Sequence, residues 1–229
     1  MYTTPVFALT RHGDYRQPQG VPSALLPYPL TEEGIVQARA AGLVCEGFAK
    51  DNKLTVLPVL DCSRQLRAWQ TATLLAESMT GEYTVDEYPE LSERSVGAVA
   101  NLTVQQIEAV LSDDPRYGAP PDDWKSDSHY CLPFQGAESL IQAGERVAAH
   151  IQQQIQTITQ PCLKIIVGHG AAIRHACVQL GILDLSTVRT VSMHHAAPVF
   201  ITYSDGQWRK VGGQWKLRSG LDQGDEIRA

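Results

Sequence analysis

Residues 6–14, with the sequence VFALTRHGD, decide the fold. An apolar, β-prone run ends abruptly in Arg-His-Gly, which predicts a buried strand that brings a cation and an imidazole to one edge of a sheet. Open α/β sheets bind ligands just outside the carboxyl ends of their strands. A neutral imidazole can attack phosphorus while a guanidinium holds the phosphoryl oxygens. A histidine in such a place can equally serve only to cap or to pack, so the triplet alone leaves both roles open.

A second His-Gly pair follows another apolar run, in residues 164–174 with the sequence KIIVGHGAAIR. This segment predicts a strand that ends at His169 and a helix that begins just after it. If the two strands lie side by side in a parallel sheet, His12 and His169 face one ligand. The repeated pattern therefore favours a catalytic or ligand-binding role for both histidines.

Six short motifs extend this pattern along the chain. They are LTRHG at 9–13, PLTEEG at 29–34, SRQLRAWQT at 63–71, LSER at 91–94 with Gly97, GAES at 136–139 and GHG at 168–170. The chain resembles the histidine phosphatase superfamily, which includes the cofactor-dependent phosphoglycerate mutases, because the motifs occur in that family's order. Each motif is weak alone, whereas the ordered set, spread over about residues 6–203, is specific.

The strand and helix pattern, together with this resemblance, predicts an α/β fold. We expect a three-layer α/β/α sandwich with a mostly parallel central sheet, as a single domain over residues 1–229. Prolines and short polar residues interrupt the chain between about 112 and 133. We therefore expect a small cap insertion over about residues 90–133, near the site.

The resemblance implies a role for five residues. His12 is expected to form a covalent phosphohistidine, while Arg11, Arg67 and His169 hold the equatorial phosphoryl oxygens. Glu93 is expected to protonate the leaving group and later to deprotonate water. By the family spacing Arg64 is an extra surface charge, and Glu87 and Glu90 fit the acid role less well than Glu93.

Further residues are expected around the phosphate or the rest of the substrate. Gly13, Arg94 and Gly170 lie within the matched motifs, and the cap contributes the aromatic and cationic group that includes Lys125 and His129. For any single cap residue, a packed surface loop is the competing interpretation. No metal and no cofactor is expected, because the cations of the pocket neutralise the phosphate.

Composition restricts the partners and the compartment. The 229 residues carry a formal net charge of −6, which argues against a nucleic-acid surface. No apolar run approaches the ~20 residues that cross a bilayer, and no signal peptide is evident. Five unpatterned cysteines indicate neither a disulfide framework nor a zinc site. We expect a cytoplasmic enzyme with a small phosphorylated substrate; the sequence does not predict its oligomeric state.

Four activities are compatible with these features. A phosphomonoesterase acting on a small metabolite ranks first, and a phosphoglycerate mutase second. The mutases of this superfamily carry an Asn, a Tyr and a Lys where this chain has Pro18, Val96 and Val104, and Arg116-Tyr117 does not match their paired arginines. A phosphohistidine phosphatase acting on protein, or a catalytically silent regulatory domain, are the remaining alternatives.

Three local expectations concern structure alone. Thr31 is expected to cap a helix that buries one face, made of Ile35, Ala38, Ala41, Gly42 and Val44. Residues 188–193 are expected to form a strand. The polar tail after Gly212 is expected to be loosely packed or extended over the surface.

Overall fold

The computed structural model describes residues 2–22 and 25–218. The strands are β1 Val6–Arg11, β2 Thr55–Val56, β3 Val59–Ser63, β4 Thr84–Tyr88, β5 Cys162–Gly168, β6 Val191–Ser192, β7 Val199–Ser204, β8 Gln207–Gly212 and β9 Lys216–Leu217. The α-helices are α1 Glu32–Asn52, α2 Leu66–Ser78, α3 Val104–Asp113, α4 Leu140–Thr157 and α5 Gly170–Gln179. Seven strands form one sheet in the order β4-β3-β5-β1-β7-β8, with β2 paired to β5.

Strand β1 lies in the middle of this sheet, and all six of its residues are buried. It pairs in parallel with β5 on one side and antiparallel with β7 on the other. Val6 and Ala8 pack with apolar residues of α1 and α2, whereas Phe7 and Leu9 pack with those of α4 and α5. Helices therefore cover both faces of a mostly parallel sheet, and the predicted three-layer α/β sandwich is confirmed.

Helix α1 begins as predicted, and of its predicted face the three small residues Ala38, Ala41 and Gly42 are buried. The Thr31 hydroxyl accepts a hydrogen bond from the Gly34 N–H, which satisfies one donor of the first turn. Ile35 and Val44, predicted to be buried, are 39% and 50% exposed. The helix packs closely on α2 at Gly42, where an added Cβ would meet the Leu75 carbonyl. This close approach turns a line of small residues, not the larger aliphatic ones, towards the core.

The segment between β4 and α4 has a small apolar cluster of its own. It contains the 3₁₀ helices Pro89–Leu91 and Gly97–Val99 and the helix α3, which Thr103 caps. Trp124 is fully buried in this cluster, and its indole N–H donates to Glu108 at 3.0 Å. The Ser128 hydroxyl lies 3.1 Å from His175 Nε2 and so joins the segment to α5. The boundary of the predicted cap at about 90–133 stays a prediction.

The strand predicted over 188–193 is shorter than expected. Val188–Thr190 is a 3₁₀ helix, and only Val191 and Ser192 form β6. The tail after Gly212 is also more ordered than predicted, since Lys216 and Leu217 form β9 and pair antiparallel with β6. The rest of the predicted tail, residues 219–229, lies outside the described residues.

Two simple properties complete the fold. All five cysteines are free thiols, in keeping with their unpatterned spacing. Within residues 2–22 and 25–218, no helix is long and apolar enough to cross a membrane.

Candidate active site

The two histidines predicted to share a ligand leave the sheet side by side. In the β1–β5 pairing Arg11 lies opposite Gly168, so the next residue of each strand is a histidine. The His12 N–H donates to the Gly168 carbonyl at 3.0 Å, which continues the pairing one step past the strands. The rings of His12 and His169 are 5.1 Å apart between centroids, and both residues are fully buried.

His12 is held as a neutral imidazole with one nitrogen available. Its Nδ1 lies 2.8 Å from the Gly13 carbonyl, which only accepts hydrogen bonds, so Nδ1 carries the proton. Its Nε2 therefore holds a lone pair, and among the described residues it has no hydrogen-bond partner. Burial, followed by the charges of Arg67 and Arg11 and the neighbouring His169, lowers the pKa of His12 well below 6.5. The ring is thus a nucleophile at neutral pH.

His169 is fixed in the opposite tautomer. The Arg67 guanidinium lies 3.3 Å from His169 Nδ1, and since a guanidinium only donates, Nδ1 accepts. The Nε2 proton is then directed at the Ser63 hydroxyl, 2.9 Å away, at the carboxyl end of β3. Burial and the nearby arginines lower the pKa of His169 well below 6.5. His169 is therefore a second neutral imidazole beside His12, and its one N–H is directed at Ser63 in the structure.

Both predicted phosphate arginines are buried next to these rings. Arg67, in the first turn of α2, donates to the Leu26 carbonyl at 2.9 Å and lies 4.6 Å from the centre of the Tyr15 ring. Arg11 donates to the Met193 carbonyl at 3.0 Å. Burial lowers the pKa of Arg67 from its ordinary value, but a guanidinium stays charged at neutral pH. Two rigidly held cations thus flank the His12 imidazole.

Two predicted glycines allow backbone segments to approach closely. An added Cβ at Gly13 would lie 2.6 Å from the Gly34 carbonyl oxygen, at the start of α1. An added Cβ at Gly170 would lie 3.2 Å from the Arg11 side chain. Gly170 is also the first residue of α5, and the free N–H groups of a helix N-terminus favour an anion. Both glycines therefore set the position of the groups around His12.

Glu93 is buried and held by backbone N–H groups. Its Oε1 accepts from the Arg94 N–H at 2.9 Å and from the Ala172 N–H at 3.2 Å, in the first turn of α5. Its Oε2 is buried and makes no hydrogen bond to the described residues. The Gln65 side-chain oxygen links the Glu93 loop to the arginine beside His169. It accepts from Arg67 at 3.1 Å and lies 3.5 Å from the Glu93 N. One carboxylate oxygen is thus anchored and the other is available for proton transfer.

Arg146 holds the Glu93 loop, and the sequence interpretation missed it. From α4 its guanidinium donates to the carbonyls of Glu90, Ser92 and Glu93 at 2.7–3.0 Å, and it also pairs with Glu138. The sequence feature that could have indicated Arg146 is its ion-pair partner Glu138, which lies eight positions earlier within the GAES motif. Arg146 does not touch the histidines, so it is a positioning residue.

A cavity of about 660 Å³ adjoins the histidines, and most of the residues that line it were not predicted as site residues. Tyr15 and His195 line it, and both contact the His12 ring, at 5.2 and 5.8 Å between centroids. His195 Nδ1 lies 3.8 Å from Asp14 Oδ1. No sequence pattern pointed to His195, because it comes from a loop after β6 that only the fold brings to this point.

The structure does not bring the predicted cap residues to this cavity. Arg94 lies with its guanidinium 5.7 Å from the centre of the Trp124 ring. Lys125 and the exposed His129 belong to the segment that contacts α5 through Ser128, and neither lines the 660 Å³ cavity. Their contact with a substrate stays a prediction.

The arrangement suits the transfer of a phosphoryl group. It combines a neutral nucleophilic imidazole, an N–H donor, two buried guanidiniums, a helix N-terminus and a carboxylate with one available oxygen. Within the described parts of the chain, no three His, Cys, Asp or Glu side chains are grouped so as to hold a metal ion.

Solved structures with the same fold include phosphatases and a mutase. A mycobacterial glucosyl-3-phosphoglycerate phosphatase is 22% identical, with a TM-score of 0.67 over 94% of this chain and 99% of that one. A phosphoglycerate mutase from Bacillus anthracis is 17% identical, with a TM-score of 0.67 over 99% of this chain and 98% of that one. No curated protein sequence matches this chain significantly.

A family model covers nearly the whole described chain. The model for branch 1 of the histidine phosphatase superfamily matches residues 7–215, a range that includes both His-Gly strand ends and the Glu93 loop. The predicted resemblance is therefore confirmed, and with it the expectation of an enzyme, consistent with a phosphoric monoester hydrolase. This chain belongs to the histidine phosphatase superfamily, branch 1.

Proposed function

We propose that this chain is a phosphomonoesterase that acts on a small phosphorylated metabolite through a phosphohistidine on His12. The observation that carries the proposal is the state of the His12 ring. Its Nδ1 proton is engaged by the Gly13 carbonyl, and its Nε2 lone pair lies beside buried Arg11, Arg67 and His169. A lone pair so placed attacks an electrophile whose negative oxygens these donors hold.

The first half-reaction transfers the phosphoryl group to the enzyme. The His12 Nε2 forms a bond to phosphorus while the ester P–O bond breaks. The guanidiniums of Arg11 and Arg67 donate to the equatorial oxygens, and the His169 N–H, which donates to Ser63 in the structure, is expected to donate to the remaining oxygen once the substrate is bound. Glu93, in its protonated form, gives its proton to the leaving alkoxide, which departs as the alcohol.

The second half-reaction returns the free enzyme. The Glu93 carboxylate takes a proton from a water molecule, whose oxygen attacks the phosphorus as the P–N bond breaks. Inorganic phosphate leaves, and Glu93 again holds the proton that the next cycle requires. The proposal requires no metal, so we expect activity to survive chelation.

Burial in the segment between β4 and α4 favours the phosphatase over the mutase. Val96 and Val104, at positions where mutases of this superfamily hold their substrate, are buried in the Trp124 cluster. Arg116 is an exposed side chain paired with Asp114. Pro18 lacks even a backbone N–H donor. A mutase must retain its phosphorylated product for reorientation, and these positions offer nothing to retain it.

The test is to trap the intermediate and to measure two products. Rapid quenching with ³²P-labelled substrate should leave an acid-labile label on the wild-type protein. His12→Asn should carry no label, lose turnover and stay folded by circular dichroism. An equally labelled His12→Asn variant would refute the assignment of the nucleophile.

A parallel assay separates the competing activities. With 3-phosphoglycerate and a trace of 2,3-bisphosphoglycerate, an enolase-coupled assay should detect little 2-phosphoglycerate, while p-nitrophenyl phosphate releases phosphate. Rapid isomerisation with negligible phosphate release would show a mutase. A folded protein that releases no phosphate from any monoester would favour the silent domain.

A further inference from the structure

Helix α1 presents an apolar face to solvent as well as to the core. Its buried side consists of small residues, which are Gly34, Ala38, Ala41, Gly42, Cys45 and Ala49. On the opposite side Val36 is 68% exposed and Leu43 is 60% exposed. A helix that covers one face of a sheet in a monomer normally turns polar residues outward. Large apolar residues exposed together on one helix face indicate a surface that binds another protein chain.

The residues of this outer face follow a regular spacing. They lie alternately three and four positions apart and form a line that we call the outer seam: Glu33, Val36, Ala40, Leu43, Gly47 and Lys50. Contact positions between two helices that cross at a small angle have this spacing. All of the seam except the partly buried Gly47 is exposed, and an added Cβ at Gly47 would meet nothing within 4 Å. The whole seam is therefore open to a partner.

The outer seam is complementary in size to a second, antiparallel copy of itself. A two-fold axis between Ala40 and Leu43 places Leu43 opposite Ala40 of the second copy, and Val36 opposite Gly47 of the second copy. Each large residue then meets a small one, an arrangement that lets two helices pack closely. In a parallel pair each residue would instead face its own copy, so that Leu43 would meet Leu43 and two glycines would leave a gap.

The charges at the two ends of the seam fit the same arrangement. Glu33 lies in the first turn of α1, and Lys50 lies in its last turn. Both are exposed, and neither forms an ion pair with another of the described residues. In the antiparallel pair each Glu33 faces Lys50 of the second copy, whereas a parallel pair would bring like charges together. Size and charge therefore specify the same partner in the same orientation.

We propose that this protein forms a two-fold dimer through the outer seam of α1, with the two helices antiparallel. The seam is about 26 Å long and one helix, roughly 10 Å, wide. A contact of these dimensions is smaller than the roughly 800 Å² per partner that a standard interface buries. We therefore expect a reversible dimer that forms at micromolar chain concentrations, not a permanent one.

Sedimentation equilibrium of the full chain tests the dimer. The wild-type protein should change from one chain to two as its concentration rises through the range of about 1–500 µM. Leu43→Glu, which places two carboxylates in the seam, should weaken dimerisation about 30-fold or more. Val110→Glu, at an exposed valine of α3, is the matched control and should leave dimerisation unchanged.

A second substitution separates dimerisation from folding. Gly47→Glu should also weaken the dimer, because it places a carboxylate opposite Val36 of the second copy. It should not lower the melting temperature of the dilute protein, since the surface is open at this position and Glu forms helices better than Gly does.

Exchanged charges test the orientation of the two helices. Glu33→Lys and Lys50→Glu should each weaken the dimer about fivefold or more, because each places like charges at both ends of the seam. The double variant should recover the wild-type dissociation constant, since both ion pairs form again with their signs reversed. In a parallel pair neither single variant would weaken the dimer, because one like-charged pair would only replace another.

Three results would contradict the proposal. A wild-type protein that stays a single chain throughout the concentration range would overturn it and leave this face to a different protein. A dimer that persists unchanged in Leu43→Glu and Gly47→Glu would overturn it as well, because that dimer would use another surface. A double charge variant that binds no more tightly than the single ones would overturn the antiparallel arrangement.

Discussion

Replacing Glu93 by Gln distinguishes the structural role of this side chain from its proposed role in proton transfer. The Oε1 atom of Glu93 accepts from the N–H groups of Arg94 and Ala172, and a glutamine oxygen can accept both bonds in the same place. The glutamine NH₂ then takes the position of Oε2, which has no hydrogen-bond partner among the described residues. The variant thus keeps the loop and loses only the transferable proton.

The expected sizes of the two effects differ widely. Because a glutamine oxygen can keep both N–H bonds, the free energy of unfolding should change by less than about 1 kcal/mol. Loss of general acid catalysis should lower the rate ~10²–10⁴-fold for alkyl phosphates, whose leaving groups need a proton. For p-nitrophenyl phosphate, whose leaving group needs none, the transfer step should slow much less.

The assay compares the rate of the transfer step, measured as release of the alcohol from an alkyl phosphate and of p-nitrophenol from p-nitrophenyl phosphate in a single turnover, beside thermal unfolding. Phosphate release is not used, because it includes the later step in which Glu93 acts as a base on every substrate. Glu90→Gln is the control, because Glu90 is exposed one turn earlier and should leave both rates unchanged. Equal losses of rate on both substrates, with an unchanged melting temperature, would refute the acid role of Glu93. A large fall in melting temperature would show that the glutamine side chain does not replace the Glu93 carboxyl group in the loop.

Two further predictions concern binding and stability. Phosphate or vanadate at ~100 times its dissociation constant should stabilise the wild-type protein by ~2.7 kcal/mol, measured as a rise in melting temperature. Arg67→Met should remove most of this rise, and Arg64→Ala should leave it unchanged. The opposite result would assign the phosphate contact to Arg64 in place of Arg67. His175 is buried, and burial lowers its pKa from 6.5 to about 4. As the pH drops, His175 is therefore protonated in the unfolded chain before it is protonated in the folded protein. The free energy of unfolding falls between about pH 6.5 and about pH 4 as a result. Replacement by Gln should remove about 3 kcal/mol of that fall, measured by urea unfolding across the range; an unchanged pH dependence would contradict the effect assigned to burial.

The meeting of His12 and His169 at the strand ends was predictable because it is encoded locally. An apolar run that ends in Arg-His-Gly specifies both a strand and the reactive side chains at its carboxyl end, and two such runs in a parallel sheet must end at the same edge. The cap of α1 at Thr31 was predictable for the same reason. The exposure of Ile35 and Val44 was not, because the close approach at Gly42 depends on a partner helix more than twenty residues away.

The residues that position the site were not predictable for a related reason. Arg146 takes its role from three backbone carbonyls more than fifty residues earlier in the chain. His195 takes its place from β6 and the loop after it. Every residue has a backbone carbonyl group, so the sequence does not show which carbonyls an arginine will bind.

The central place of β1 also shapes how the chain folds. Both neighbours of β1 in the sheet, β5 and β7, come from residues after 161, and each β1–β5 pair joins residues 157 positions apart. Closing so long a loop costs entropy before any pairing compensates it. During synthesis β1 emerges before β5 and β7, and both of its edges stay unpaired until those strands have been made. An apolar strand in that state is exposed to incorrect pairing, so the same strand that organises the active site is the point at which a nascent chain is most prone to aggregate.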